Sequence, residues 1–314
     1  MGETTTDLDL EAYRAELTGY CYRMLGSAFE AEDAVQEALL RAWKHVDRFE
    51  QRASVRTWLY RITTNVCLDA LAARGRRALP MDLTAPSAGA TSPGAPLDAG
   101  TWVEPCPDSD PARAATADES VRLAFVAALQ YLAPKQRATL LLREVMGFSA
   151  KEVAELHECS VASVNSALQR ARATLAARRA SDGETAAEPA GTVRSALARR
   201  YAAAFSRFDM EELGMLLHVD ATLSLPPYTV WIRGASDIRA WWTGPAVGCR
   251  GSRLVPVTAN GSPAFGQYRP AGETYEPWAL QVLDLRGDRI AAIHAYRDTE
   301  RLFPLFGLPE SIPA

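Results

Sequence analysis

Residues 149–179, SAKEVAELHECSVASVNSALQRARATLAARR, decide how the chain is read. Ser149 and Glu152 stand three apart, the spacing at which a hydroxyl and a carboxylate satisfy free amide donors at a helix start. Val153, Ala154 and Leu156 mark the inner face of a short first helix. His157–Ser160 makes the turn, and Ser160 is placed to cap the next helix. There Val161, Val164, Leu168, Ala171 and Leu175 recur every three or four residues and build one apolar stripe. Ser163, Asn165, Ser166, Gln169, Arg170 and Arg172 lie off that stripe, as side chains that reach base edges and phosphates do in a helix-turn-helix. A surface hairpin of two helices with a solvated face would show the same periodicity, so the rest of the chain has to choose between them.

Upstream, Pro134 suits a first helical turn, and a helix from 134 to 146 stops at Gly147. Val121, Phe125, Ala128, Leu129 and Leu132 predict one more helix before it, which makes 119–180 a module of four short helices. Residues 8–79 form a second helical module. A stripe of Leu10, Tyr13, Leu17, Tyr20, Cys21, Met24 and Leu25 ends at Gly26. Ser27 and Glu30 then open a helix running to about Val46, with Val35, Ala38, Leu39, Ala42, Trp43 and Val46 inward and an acidic outer face. A third helix from Ser54 buries Val55, Leu59, Ile62, Val66 and Ala70 and ends in the basic cluster Arg74, Arg76, Arg77. One acidic face beside one basic face suggests a cationic partner and an anionic one, although a solvated bundle would look alike.

Between the modules, residues 80–118 are rich in Pro, Gly, Ala and Ser and have no period, so a flexible linker is expected, with Trp102 and Val103 as its apolar points. A shorter linker, 181–191, precedes a change of texture. Helical patterns at 192–207 and 209–218 give way to alternating segments, which predicts an α+β domain over 192–314.

The totals agree with a multidomain chain: 314 residues and 48% hydrophobic content suffice for separate cores. A net charge of -4 does not suggest a nucleic-acid binder, but local basic patches can act against an acidic total. Cys21, Cys67, Cys106, Cys159 and Cys249 have neither disulfide nor metal spacing, and Cys21 and Cys67 fall on apolar helix faces, so buried free thiols are expected over disulfides or zinc, together with a cytoplasmic location and no metal or cofactor. Residues 1–13 hold no basic start or apolar run, and no stretch is long enough to span a membrane.

At this point AEDAVQEALLRAW (31–43) and TWLYRITTNVCLDALAAR (57–74) resemble region 2 of extracytoplasmic-function sigma factors. Residues 132–172, LAPKQRATLLLREVMGFSAKEVAELHECSVASVNSALQRAR, resemble their region 4. The resemblance implies a protein that catalyses nothing itself, binds core RNA polymerase and directs it to promoters. It implies that Asp33, Gln36 and Glu37, with Arg41 beside them, dock on the clamp helices of the largest subunit, with region 4 on the flap. Arg56, Trp58, Arg61 and Asn65 would serve the minus-ten element, with 49–54 as a base pocket and Trp58 alternatively core. Ser163, Asn165, Ser166 and Gln169 would read the minus-thirty-five element, and Arg170 and Arg172 would hold phosphates. The family's usual glycine-threonine pair and early cation are replaced here by ASVNSA (162–167), so weaker anchoring is expected.

Residues 223–242 and 290–298 resemble the SnoaL-like cone folds found fused to some sigma factors. That resemblance implies an apolar pocket among Tyr228, Trp231, Trp242, Trp278, His294 and Tyr296, with Trp241, Asp220 and Arg297 nearby, for a small-molecule ligand; an anti-sigma partner is the other regulator it leaves open. The alternative is that the aromatics are core and His294 a satisfied strand histidine. Two other classes stay open: an operator-binding regulator independent of polymerase, and a DNA-binding module fused to a small-molecule enzyme acting through His294.

Overall fold

The computed structural model describes residues 9–49, 54–87, 93–108, 122–182 and 191–314. These form two compact units, and neither is one continuous piece of chain. Residues 9–77 join 122–182, and residues 78–108 join 191–314.

The first unit is all helix. Helix α1 (Arg14–Leu25) ends where Gly26 takes φ 72°, a left-handed cap that a side chain would disfavour. Helix α2 (Ala28–Lys44) starts at Ser27, whose hydroxyl accepts from the Glu30 amide, and α3 (Val55–Ala72) starts at Ser54 in the same way. Helix α4 (Leu123–Leu129) follows; residues 119–121, where its start was expected, lie outside the described residues. Pro134 opens α5 (Pro134–Leu140), which continues through a wide π turn, Leu141–Val145. The Ser149–Glu152 capping box is formed in both directions at α6 (Ala150–Leu156), and α7 (Val161–Asp182) completes the helix-turn-helix.

The two expected helical modules share one core. Tyr60 of α3 meets the Tyr20 ring edge-on at 5.1 Å and the Phe148 ring at 5.0 Å, and its hydroxyl donates to Met146 Sδ at 2.7 Å. Arg137 of α5 is buried; it donates to the Met24 carbonyl at the end of α1 and to Gln130 Oε1 at 2.7 Å. Arg74 donates to the adjacent Leu25 carbonyl at 2.7 Å, so both guanidinium groups meet the negative end of the α1 dipole. Burial, with the Arg74 charge nearby, pushes the Arg137 guanidinium down from its ordinary range. Arg74 and Arg77 also pair with Glu30, so this part of the expected basic cluster is turned inward.

The second unit holds α8 (Gly191–Arg207), α9 (Met210–Leu216), β1 (Leu217–Ser224), β2 (Trp231–Arg233), α10 (Ala235–Thr243), β3 (Arg253–Ala259), β4 (Ser262–Ala271), β5 (Thr274–Arg286), β6 (Arg289–Tyr296), α11 (Thr299–Leu305) and β7 (Ile312–Pro313). The sheet order is β2-β1-β6-β5-β4-β3, with β7 on β5; β1 and β6 are parallel and the other pairs antiparallel. Tyr201, Phe205, Leu213, Ile238 and Trp242 from the helices and Leu223, Phe265, Leu283 and Ile293 from the sheet form one core. This is the expected α+β class.

Three expectations need correction. The stretch 80–118 is no flexible linker over its described part: it packs on the sheet unit as a strap. Trp102, Val103 and Cys106 are buried, and the strap is tied by backbone bonds from Ser87 to Trp231 (2.8 Å) and Leu97 to Pro227 (2.8 Å). Cys106 and Asn260 bond reciprocally at 2.9 Å, and Arg301 pairs with Glu104 at 2.9 Å. Burying such side chains contributes about 1.5–3 kcal/mol each, enough to offset the ordering of a few residues. Residues 109–118 and 183–190, in the two expected linkers, lie outside the described residues. Second, the modules expected as separate at 8–79 and 119–180 are one unit. Third, Trp43 faces solvent at 71% exposure, because it stands 100° around α2 from buried Ala42, away from the stripe of Ala31, Val35 and Ala38; Val161 is likewise exposed at the first residue of α7.

Candidate functional site

Helix α2 presents Asp33, Gln36 and Glu37 to solvent, because the burial of Ala31, Ala34, Val35 and Ala38 fixes its rotation. Arg41 is half-buried and bridges Glu37 (Nε–Oε1 2.7 Å) and Asp69 of α3 (3.5 Å). Leu40 (46% exposed) and Trp43 extend the same side, so the face pairs carboxylates with a large apolar edge. Neither was expected there; the 100° step along α2 is the sequence signal that separates both from the buried stripe.

On α3, Arg61 and Asn65 are exposed one turn apart, as their spacing required. Arg56 is half-buried. Its Nε donates to Glu16 at 2.9 Å, an Nη donates to the Met146 carbonyl at 2.9 Å, and its guanidinium lies 4.5 Å from the Phe148 centroid. Arg61 pairs with Glu158, in the turn of the helix-turn-helix. Trp58 is half-buried and packs on Phe49 at 5.0 Å, between the surface and core alternatives. Residues 50–53 of the expected base pocket lie outside the described residues.

The helix-turn-helix is built as its spacing predicts. Ser160 caps α7 by accepting from the Ser163 amide at 3.1 Å, and Glu158 takes φ 52° at the turn. Val164, Leu168 and Ala171 are buried. Ser163, Asn165, Ser166, Gln169, Arg170 and Arg172 are all exposed along one helix. Arg172 is held by Glu144 (Nε–Oε1 2.6 Å), so its phosphate reach would have to be released from an intramolecular pair.

The six residues expected around one pocket are divided among four places. Trp242 is core, edge-on to Phe205. Trp231 and Tyr296 lie under the strap: the indole N–H donates to the Thr84 carbonyl at 2.9 Å and the Tyr296 hydroxyl to the Val103 carbonyl at 3.0 Å. His294 is buried in a polar chain, with Ser224 Oγ at 2.9 Å from Nδ1 and Asp284 Oδ2 at 3.2 Å from Nε2. With Nε2–H donating to the carboxylate, Nδ1 accepts from the serine. Ser224 is fully buried, so the Ser224–His294–Asp284 hydrogen bonds satisfy buried polar groups. Tyr228 and Trp278 alone remain partly open, together with Arg297. Arg269, which stacks on Trp278, was not singled out, since strand pairing brings it there and nothing in its local sequence does. Of the other two residues placed nearby, Trp241 is buried core and Asp220 is exposed on β1.

Comparison with known proteins gives a consistent answer. The family model for Sigma-70 region 2 matches residues 10–77, and that for Sigma-70, region 4 matches residues 122–175. The ECF RNA polymerase sigma factor SigG of Mycobacterium tuberculosis is 45% identical over 309 residues, covering 96% of this chain and 83% of SigG. The probable ECF RNA polymerase sigma factor SigI of the same organism is 29% identical over 94% of this chain and 93% of its own length. The crystal structure of the extracytoplasmic function sigma factor SigJ of M. tuberculosis superposes with a TM-score of 0.65, covering 96% of this chain and 99% of SigJ at 22% identity, a likeness of fold.

Proposed function

The chain belongs to the extracytoplasmic-function RNA polymerase sigma factors, and from that premise we propose how its surfaces divide the work of promoter-directed initiation. The α2 face of Asp33, Gln36, Glu37 and Arg41 docks on the clamp helices of core polymerase, with Leu40 and Trp43 as its apolar anchors. One observation carries this assignment: a tryptophan 71% exposed beside unburied carboxylates. Exposed indole next to charge is what a partner-facing hot spot needs, and a solvated helix face has no use for it. Helix α3 serves the minus-ten element through Arg56, Trp58, Arg61 and Asn65. Helix α7 serves the minus-thirty-five element, with Ser163, Asn165, Ser166 and Gln169 at base edges and Arg170 and Arg172 at phosphates, while its module docks on the flap. The protein would act in the cytoplasm, where polymerase works.

The compact helical unit is then a closed state. Arg56 and Arg61 already have partners in Glu16, the Met146 carbonyl and Glu158, and Arg172 has Glu144. Promoter DNA must replace these partners, and polymerase supplies the binding energy that separates the two halves. The α+β domain tunes that opening through the strap, which lies in sequence between the halves and is anchored on the sheet.

The test is a core-polymerase pull-down with run-off transcription, using the full chain. Trp43→Ala is expected to weaken core binding by about 2 kcal/mol, roughly thirtyfold, with helix content unchanged. Arg170→Ala should leave core binding intact and lower the salt slope of promoter binding by about 1. Wild-type core binding by an Asp33→Lys/Glu37→Lys double variant would remove the α2 assignment.

A further inference from the structure

Strand β5 carries one residue too many. Gln267 and Tyr268 of β4 pair with Ala279 and Pro277, so Trp278 between them has no partner and forms a β-bulge. A bulge re-aims a side chain and is over-represented beside binding sites. Pro277 has no N–H to give the ladder and suits that position. Two guanidinium groups stack on the re-aimed indole. Cζ of Arg297, the residue after β6, is 3.5 Å from its centroid, and Cζ of Arg269, from β4, is 3.8 Å away.

This arrangement is unfavourable if left alone. Each cation–π contact is favourable, but two like charges on one ring repel each other at short range. Among the described residues neither guanidinium forms an ion pair; Glu276, opposite Arg269 in the strand register, does not pair with it. The Arg297 Nε is buried with no hydrogen-bond partner. Burial lowers the Arg297 pKa, and the Arg269 charge adds to that effect. The loop after α10 lies against the same group: a Cβ at Gly248 would overlap an Nη of Arg269, so a side chain there would displace the guanidinium from this position. Trp278, Tyr228, Arg269 and Arg297 are all partly exposed, so solvent and solutes reach them.

We propose that Arg269 and Arg297, set on Trp278, are the recognition site of the α+β domain for a small organic oxyanion, a carboxylate or a phosphate monoester. Two planar forks of N–H donors match such a group bidentately, and the ligand's charge relieves the repulsion between them. The indole and the Tyr228 ring offer apolar surface to the body of the ligand. The site rests on the strand register and side-chain geometry of the sheet unit and does not depend on the polymerase reading.

Calorimetry and thermal unfolding of the full chain test it, with benzoate, phenyl phosphate and uncharged benzamide as probes. Saturable binding of benzoate or phenyl phosphate is expected, the stronger of the two naming the anion, with none for benzamide. Arg297→Gln, Arg269→Gln and Gly248→Ala should each weaken binding at least about tenfold and abolish the ligand-induced rise in Tm. Without ligand, Arg297→Gln should melt no lower than the wild type, because it removes an uncompensated charge. Should that variant fail to fold, Arg269→Gln and Gly248→Ala decide the matter. The proposal is overturned if neither anion binds, if benzamide binds as well as benzoate, or if the folded variants bind like the wild type. No polymerase or DNA is in the assay, so its failure would leave the sigma reading untouched.

Discussion

At the scale of single residues, Ser149 and Glu152 show how local chemistry sets a structural boundary. The Glu152 amide donates to the serine hydroxyl at 3.2 Å and the Ser149 amide donates to the carboxylate at 2.7 Å. These bonds hold the Glu152 carboxyl below its ordinary value of 4.5. A carboxyl with a depressed folded pKa stabilises the fold above its unfolded pKa, and that contribution is lost as pH falls through the folded pKa. Urea melts at descending acid pH should therefore show a loss in the wild type that Glu152→Gln lacks; parallel curves would mean that the box adds nothing. Ser149→Ala is expected to cost about 1 kcal/mol at neutral pH, measured in the same melts. Both residues were legible in the sequence, because a capping box spans three positions and needs no distant partner. Trp43 was misassigned by the same local logic, since one helical step separates an inward position from an exposed one.

At the scale of elements, the helices were readable and the strap was not. The apolar stripe of α7 matched its buried side at Val164, Leu168 and Ala171, since its period is that of the helix itself. Residues 78–87 and 93–108 have no period, and they are held by partners far along the chain: Trp231, Asn260, Tyr296 and Arg301. Trp102→Ala should destabilise the sheet unit by about 3–5 kcal/mol in thermal or urea unfolding, the cost of an unfilled aromatic site. No change in Tm would return this stretch to the class of linkers. The expected pocket was divided for a related reason. Alternation along a strand shows which residues share a face, but not which of them another segment covers, and the strap covers Trp231 and Tyr296.

At the scale of the whole molecule, the two units interleave along the chain, so a cut between 182 and 191 splits the second unit and leaves its strap behind. A chain ending near residue 190 would keep the strap without its sheet and leave Trp102, Val103 and Cys106 in water. Such a truncation should bind the dye ANS and self-associate on size-exclusion chromatography, and replacing 79–107 by a Gly/Ser linker should reverse both. A monomeric truncation that does not bind the dye would contradict the strap's role. The sequence by itself determined the helices, their caps, the helix-turn-helix, the family and the α+β class of the last domain, because period and capping act within a few residues. Only the tertiary structure decided that the two helical halves share the Tyr20–Tyr60–Phe148 core, that the middle stretch is a strap, and that Arg269 and Arg297 meet on Trp278. Each of these depends on which surfaces of separate segments meet, and such contacts leave no local pattern to read.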